Sequence, residues 1–169
     1  QDELRRIFFE YGEERFSGKI AAAICKRRSI EPIKSTLELS DIIKSAIPAS
    51  NRIDGPHPAK RTFQAIRIEV NAELDAITPL VNAAISRLTE SGRLAIISFH
   101  SLEDRLVKQG YRAAMRGCTC PKDFPVCVCG NKPKAKLVSR KPIEPSKAEL
   151  EANNRSRSSK LRVLEKIVD

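Results

Sequence analysis

Residues 92–104 constrain the fold most strongly. They read Gly-Arg-Leu-Ala-Ile-Ile-Ser-Phe-His-Ser-Leu-Glu-Asp, with a short apolar run at 94–97. Such a run predicts a strand buried on both faces, as in a parallel sheet covered by helices. Ser101 and the acidic residues after it predict the N-cap and first turn of a helix. Ligands bind at the carboxyl ends of strands in open α/β sheets, although an ordinary turn with a solvated histidine also fits the pattern. The candidate residues of this turn are Ser98, Phe99, His100 and Ser101.

Composition is that of a globular protein and excludes a membrane-spanning one. The 169 residues are 41% hydrophobic and 31% charged, enough for one domain with a sizeable core. The longest apolar run before the predicted strand covers only residues 20–25, too short to cross a bilayer. Residues 1–15 are too heavily charged for a signal peptide. We therefore expect a cytoplasmic protein with no membrane partner.

Positive charge is concentrated in the last third of the chain. Residues 1–104 contain 15 Lys/Arg and 15 Asp/Glu, whereas residues 105–169 contain 16 and 6, which accounts for the net charge of +10. A neutral body with a basic end favours a partner with a phosphate backbone. The alternative is a solubilising surface, and charge does not distinguish RNA from DNA.

Helical patterns precede the predicted strand. Residues 1–50 predict short amphipathic helices, and Ser35 with Glu38 has the spacing of a capping box. Three prolines and a glycine between residues 48 and 58 predict a linker at 51–57. Apolar residues then recur every three or four positions from 63 to 88, where Pro79 predicts either a kink or a second helix capped by Thr78.

Shorter elements are expected after the predicted strand and its helix. Residues 136–139 favour a short strand, and Ser146 with Glu149 predicts a capped helix. Residues 160–168 predict a closing strand with Leu161, Val163 and Ile167 on one face.

Four of the five cysteines lie in the loop at residues 117–130. Cys118, Cys120, Cys127 and Cys129 form two Cys-x-Cys pairs separated by six residues. Four thiols in a short loop of a cytosolic chain suggest a closed, structural Zn²⁺ site. Reduced free thiols are the main alternative, because the Cys-x-Cys spacing is tighter than in ordinary zinc ribbons.

Two further segments are candidates for anion binding. Residues 57–67 combine basic and polar side chains with the start of a predicted helix, which suits phosphate, although a solvated helix start explains them equally well. The candidates are His57, Lys60, Arg61, Thr62, Gln64 and Arg67. The basic, hydroxyl-rich segment 154–162 includes Arg155 and Arg157, which could contact phosphate or belong to a polar loop.

Five blocks follow one another along the chain: residues 11–16 (Tyr-Gly-Glu-Glu-Arg-Phe), 57–65 (His-Pro-Ala-Lys-Arg-Thr-Phe-Gln-Ala), 92–105, 120–130 and 155–162. Together and in this order they resemble one family, the MraW-like type H family of bacterial small-subunit ribosomal RNA cytosine-N4 methyltransferases. The family's Asn-Pro-Arg before the last strand reads Asn-Asn-Arg at 153–155 here.

The resemblance implies methyl transfer from S-adenosylmethionine to the N4 amine of a ribosomal RNA cytidine. It also implies an α/β fold: the second half of a Rossmann-like methyltransferase sheet, preceded by part of an all-α inserted domain. Residues 1–50 would end the helical substrate-recognition insertion, and residues 58–169 would be the C-terminal half of the methyltransferase domain.

No stretch of this sequence matches the family's glycine-rich cofactor loop, which we expect to lie upstream. The resemblance therefore implies an incomplete part of the enzyme, inactive alone, whose partner is the small ribosomal subunit. No catalytic base and no oligomeric state can be named. The alternative is a zinc-stabilised basic RNA-binding module without catalysis.

Overall fold

The computed structural model describes residues 1–51, 57–121 and 124–167. The chain forms two compact units, Gln1–Glu73 (the helical unit) and Leu74–Asp169 (the sheet unit). The predicted linker at 51–57 is therefore not the boundary between the units, and its residues 52–56 lie outside the described residues. The boundary falls later because the helix after the linker packs against the first helix of the chain.

The described residues of the helical unit form four α-helices. They are α1 (Asp2–Glu10), α2 (Ser17–Arg28), α3 (Thr36–Ala46) and α4 (Lys60–Asn71), with a 3-10 turn at Ala49–Asn51. The Ser35 hydroxyl accepts a hydrogen bond from the N–H of Glu38, so the predicted cap of α3 is confirmed. The apolar faces of these helices meet in one core that includes Phe8, Ile20 and Ile43, all fully buried.

The sheet unit begins with α5 (Ile77–Arg87), which the chain reaches after a break at residues 72–76. The continuous apolar pattern at 63–88 thus belongs to two helices, α4 and α5, and not to one. Ala72 ends α4 in a left-handed conformation with φ of 49°. The N-cap of α5 is Ala76 and not Thr78, so the predicted cap was wrong while the second helix was correct.

The remaining elements of the sheet unit are β1 (Arg93–Ser98), α6 (Ser101–Ala114), β2 (Ala135–Leu137), α7 (Lys147–Ala152), a 3-10 helix (Asn154–Ser158) and β3 (Lys160–Lys166). The strands form an antiparallel sheet in the order β1-β3-β2. Mixed helices with this small sheet bear out the α/β class, but the strands of this chain are antiparallel and not parallel.

Burial of β1 differs from the prediction, and burial of β3 does not follow hydrophobicity. Leu94 and Ile96 pack against the core beneath α5 and α6, whereas Ile97 on the other face is 58% exposed. Strand β1 is thus covered on one face only by the described residues. In β3 the buried residues are Arg162, Leu164 and Lys166, and not the face that carries Leu161. The two cations among them can be buried because each has a polar partner.

No helix in the described part of the chain is long and apolar enough to cross a membrane.

Candidate functional site

The first two family-like blocks, residues 11–16 and 57–65, come together in the helical unit. A Cβ atom added to Gly12 would lie 2.6 Å from the carbonyl oxygen of Phe8 and 2.9 Å from that of Arg61. The Arg61 guanidinium also donates a hydrogen bond to the carbonyl oxygen of Glu13, at 3.3 Å. The missing side chain of Gly12 therefore lets the turn after α1 meet the first turns of α4.

A cavity of about 340 Å³ opens where these blocks meet. Four of the six predicted residues of segment 57–67 line it: His57, Lys60, Arg61 and Gln64. The first block contributes Glu14, Arg15 and Phe16. Among the described residues, three cations and one imidazole share this small cavity with one carboxylate. Such a lining suits an anionic or strongly polar ligand.

Glu14 is a member of this cavity that the sequence did not single out. It is only 5% exposed, and its Oε1 accepts a hydrogen bond from the N–H of Phe16 at 2.9 Å. The backbone N–H of Glu14 in turn donates to the carbonyl oxygen of Phe8. Its position inside the Tyr-Gly-Glu-Glu-Arg-Phe block was the only sequence signal that could have found it.

Thr62 and Arg67, the other two predicted residues, do not line the cavity. Thr62 is fully buried, and its hydroxyl has no hydrogen-bond partner among the described residues. The Arg67 guanidinium forms two hydrogen bonds with the carboxylate of Glu73, at 2.8 and 3.0 Å. Any contact between substrate and Arg67 would have to compete with this pair.

The turn between β1 and α6 is closed by a reciprocal capping box. His100, and not Ser101, is the N-cap of α6, and its Nδ1 accepts a hydrogen bond from the N–H of Glu103. The Glu103 carboxylate accepts from the backbone N–H groups of Phe99 and His100, at 2.8 and 3.2 Å. The His100 side chain is 10% exposed, so it is a structural cap and not a solvated residue.

The predicted residues around this turn differ in accessibility. Ser98 is buried, and its hydroxyl donates to the carbonyl oxygen of Lys160 at 3.4 Å. Phe99 is 57% exposed, and Ser101 is exposed at the start of α6. Phe99 is therefore the apolar side chain that this turn presents outward.

Arg155 and Arg157 lie at the same end of the sheet as this turn. The β1–β3 register pairs Ser98 with Lys160, and the 3-10 helix that carries both arginines directly precedes Lys160. Both side chains are exposed. Two of the predicted segments, 98–101 and 155–157, thus lie at the same end of the sheet.

A buried ion pair links the third block to the last. Arg162 donates to both carboxylate oxygens of Asp104, at 2.6 and 2.9 Å. This pairing lowers the pKa of Asp104 below its ordinary value. The two residues are 58 positions apart, so no local pattern could have paired them. Arg162 is accordingly a structural residue and not a free cation of the basic segment.

The four loop cysteines converge on one point. Their Sγ atoms all lie within 4.8 Å of one another, and no disulfide joins them. Cys118 Sγ is 3.3 Å from Cys127 Sγ and 3.7 Å from Cys129 Sγ. A tetrahedral zinc site with bonds of about 2.3 Å would hold its sulfurs about 3.8 Å apart. The donor set and its spacing therefore fit a metal ion.

Backbone N–H groups point at these sulfur atoms. Thr119 and Asn131 donate to Cys129 Sγ, and Val128 donates to Cys120 Sγ. The hydrogen bond from Thr119, supported by that from Asn131, lowers the pKa of Cys129 to about 5. Such N–H···S contacts stabilise the thiolate form, which is the form that binds metals.

Comparison with known proteins gives consistent results over the whole chain. The sequence profile described as "MraW methylase family" matches residues 1–167. Three proteins named "Ribosomal RNA small subunit methyltransferase H" align with 99% of this chain. They come from Brevibacillus brevis (56% identity, 53% of its length), Clostridium botulinum strain Loch Maree (56%, 54%) and Heliobacterium modesticaldum (54%, 53%). The chain thus spans about half the length of the curated relatives it matches.

Proposed function

The chain belongs to the MraW methylase family, and we propose that it is part of an enzyme that methylates small-subunit ribosomal RNA. The methyl group would pass from S-adenosylmethionine to the N4 amine of a cytidine. The match over residues 1–167 carries this proposal, and the meeting of separate family-like blocks around shared sites supports it. The enzyme would act in the cytoplasm on the small ribosomal subunit.

We assign the two units to different parts of that enzyme. The helical unit would contain the end of the substrate-recognition insertion and, in α4, the first helix of the catalytic half. The sheet unit would supply the late strands of the methyltransferase sheet. Because α4 packs with α1, the helix that follows the linker is part of the core of the helical unit.

The described residues do not fit S-adenosylmethionine itself. Strand β1, its turn and α6 form the strand–turn–helix unit where such a cofactor would be sought, but the turn contains no glycine. Its backbone N–H groups at Phe99 and His100 are already bonded to Glu103. We propose that the part of the relatives that this chain does not cover supplies the cofactor site.

The chemistry defines what this chain must do for the substrate. The N4 amine is conjugated into the cytosine ring and is a weak nucleophile, so the base has to be held in line with the methyl donor. A base in structured RNA must also be unstacked before it can enter a site. We propose that the cavity at His57, Lys60, Arg61 and Gln64 in the helical unit contacts the cytidine. The turn at 98–101 in the sheet unit is a separate candidate for the same role.

Arg155 and Arg157 would instead hold the RNA backbone. They are exposed cations at the end of the sheet where the turn lies. Each phosphate that such a residue neutralises releases counterions, so this contribution should fall with salt.

Two double variants test these roles in the full-length gene product. Arg155→Ala/Arg157→Ala should weaken RNA binding and reduce the salt dependence by up to about two phosphate contacts. Lys60→Ala/Arg61→Ala should lower turnover at saturating RNA more than it lowers affinity. Turnover is measured as radiolabelled methyl transfer, and the product is identified by nucleoside analysis. RNA affinity and its salt dependence are measured by binding at several salt concentrations. A product other than N4-methylcytidine would refute the proposed reaction, and the reverse pattern of effects would refute the assignment of the two clusters.

We also propose that Cys118, Cys120, Cys127 and Cys129 hold one structural Zn²⁺. Four sulfur ligands close a tetrahedral site and leave no position for substrate. Cys127→Ser should release the metal and raise hydrogen exchange in the loop, whereas Cys25→Ser, which changes the one cysteine outside the cluster, should do neither. Metal analysis of protein purified without chelator tests the claim, and a zinc-free, ordered loop would refute it.

The cysteine cluster also favours a second candidate, an RNA-binding module without catalysis. The two functions differ in whether S-adenosylmethionine binds. Isothermal titration of this chain alone with S-adenosylmethionine should show no useful affinity. Micromolar binding would refute the proposal that the cofactor site lies in the part of the relatives that this chain does not cover. A full-length product that binds RNA but transfers no methyl group would favour the module.

A further inference from the structure

A second cleft lies in the sheet unit, and no residue assigned above to the cytidine or to the RNA backbone lines it. It encloses about 710 Å³ between the last turns of α5 and α6 and the return limb of the cysteine loop, residues 130–134. Its apolar lining residues include Ile85, Ala114 and Pro133. Its charged side chains are Arg116, Lys132, Lys134 and Lys166.

The return limb is fixed from both sides. The Asn131 side chain donates to the carbonyl oxygens of Arg116 and Gly117, at 3.2 and 2.6 Å. The backbone N–H of Asn131 donates to Cys129 Sγ, and that of Lys134 donates to the carbonyl oxygen of Ala114. The wall of the cleft is thus anchored to the cysteine cluster at one end and to α6 at the other.

Positive charge dominates this cleft. None of the described residues that line it is acidic. The helix C-termini of α5 and α6 contribute roughly half a negative charge each, which four cations exceed. Lys166 is buried and donates to the carbonyl oxygen of Leu88 at 2.5 Å. Arg116, Lys132 and Lys134 are exposed, and no ion pair within the described part of the chain involves them.

We propose that this cleft binds the phosphodiester backbone of the ribosomal RNA substrate, as a site separate from Arg155 and Arg157. This inference rests on the proposed function and extends it, because it names a further surface that holds the RNA. In this proposal the apolar lining residues contact the sugar, and the exposed cations neutralise the phosphates. The cysteine cluster would then serve RNA binding by holding the wall that carries Lys132 and Lys134.

The test compares two charge-matched double variants of the full-length gene product. Lys132→Ala/Lys134→Ala removes two cations of the cleft, and Lys141→Ala/Lys147→Ala removes two exposed cations of the same unit that do not line it. Affinity for a single-stranded fragment of small-subunit ribosomal RNA is measured across a salt series. The cleft variant should bind about tenfold more weakly at low salt, and its log–log salt slope should be smaller by roughly 1.4, for two lost contacts. The control variant should keep the wild-type slope.

Three results would overturn the proposal. The first is an equal loss in both variants, which would mean a general charge effect. The second is a lowered unfolding temperature of the cleft variant with an unchanged salt slope, which would mean that the lysines only stabilise the end of α6. The third is binding of inorganic phosphate alone as tightly as RNA and with the same dependence on the lysines, which would mean a small-anion site.

Failure of this inference is distinguishable from failure of the proposed function. Wild-type protein that neither binds nor methylates the RNA contradicts the proposed function. Wild-type protein that does both, with a cleft variant indistinguishable from the control, contradicts the cleft alone.

Discussion

The two units of this chain bring their family-like blocks together in different ways. In the helical unit, residues 11–16 and 57–65 meet through apolar packing and through a backbone approach that only glycine permits at position 12. In the sheet unit, residues 92–105 and 155–162 are joined by strand pairing and by the buried pair Asp104–Arg162. The first arrangement depends on shape and the second depends on charge.

This difference has consequences for stability. Apolar packing tolerates changes of pH but not added volume, because interiors are as dense as organic crystals. A buried ion pair tolerates neither the loss of one partner nor the protonation of its carboxylate. Four experiments exploit this contrast.

The largest effect is expected from Arg162→Ala. It would leave the Asp104 carboxylate buried without its partner, which costs about 3–5 kcal/mol of unfolding free energy. Hydrogen exchange monitored by mass spectrometry should show β1, β3 and α6 losing protection while peptides of α1 and α2 keep theirs. Equal loss of protection in both units would contradict the claim that this ion pair stabilises the sheet unit and not the helical unit.

A pair of glycine variants sharpens the comparison next. Gly12→Ala would force a Cβ against two backbone oxygens, and such overpacking typically costs about 1–3 kcal/mol. In Gly110→Ala the added Cβ would lie 2.8 Å from Cγ1 of Val81, a side chain that can shift. Helix propensity also favours alanine there by about 1 kcal/mol.

Urea unfolding of both glycine variants measures the difference. Gly110→Ala should be the milder change, since its helix propensity gain offsets part of the clash. A Gly110→Ala protein that is less stable than the Gly12→Ala protein would show that the backbone contact in the helical unit is not the tighter constraint.

Acid should weaken the sheet unit through Asp104. Its pKa is lowered in the folded state by the hydrogen bond from Arg162, so the stabilisation is present above the unfolded pKa of roughly 4. It is lost as the pH falls from there through the folded pKa. The urea midpoint of Asp104→Asn should therefore change less between roughly pH 7 and roughly pH 3 than that of the wild type. Identical changes would show that other carboxylates control the acid response.

The smallest effect is expected from Tyr111→Phe. The Tyr111 hydroxyl donates to the carbonyl oxygen of Leu94 at 2.9 Å, so its removal should cost about 1 kcal/mol. Burial raises the pKa of Tyr111 to about 12, and the variant should lack the late step in an ultraviolet titration of tyrosine. An unchanged titration would mean that the buried tyrosine does not ionise separately.

Local sequence patterns were sufficient for several features. The hydroxyls of Ser35 and Ser146 cap the helices that their spacing with a glutamate predicted. The membership of the family followed from five blocks read along the chain, and the profile match over residues 1–167 confirms it. The convergence of the four loop cysteines was suggested by their spacing alone. The caps and the cysteine cluster depend on residues that are close in the chain, and each family-like block is itself a short segment.

Only the tertiary structure decided which distant segments meet. The cavity shared by residues 11–16 and 57–65, the pair Asp104–Arg162 and the cleft beside the cysteine loop join residues that no short pattern relates. Hydrophobic alternation alone does not show that the opposite face of β3 is the buried one, because it assigns cations to solvent. In the folded chain Asp104 and the carbonyl oxygen of Leu88 satisfy Arg162 and Lys166, and a buried cation is tolerated where such partners exist.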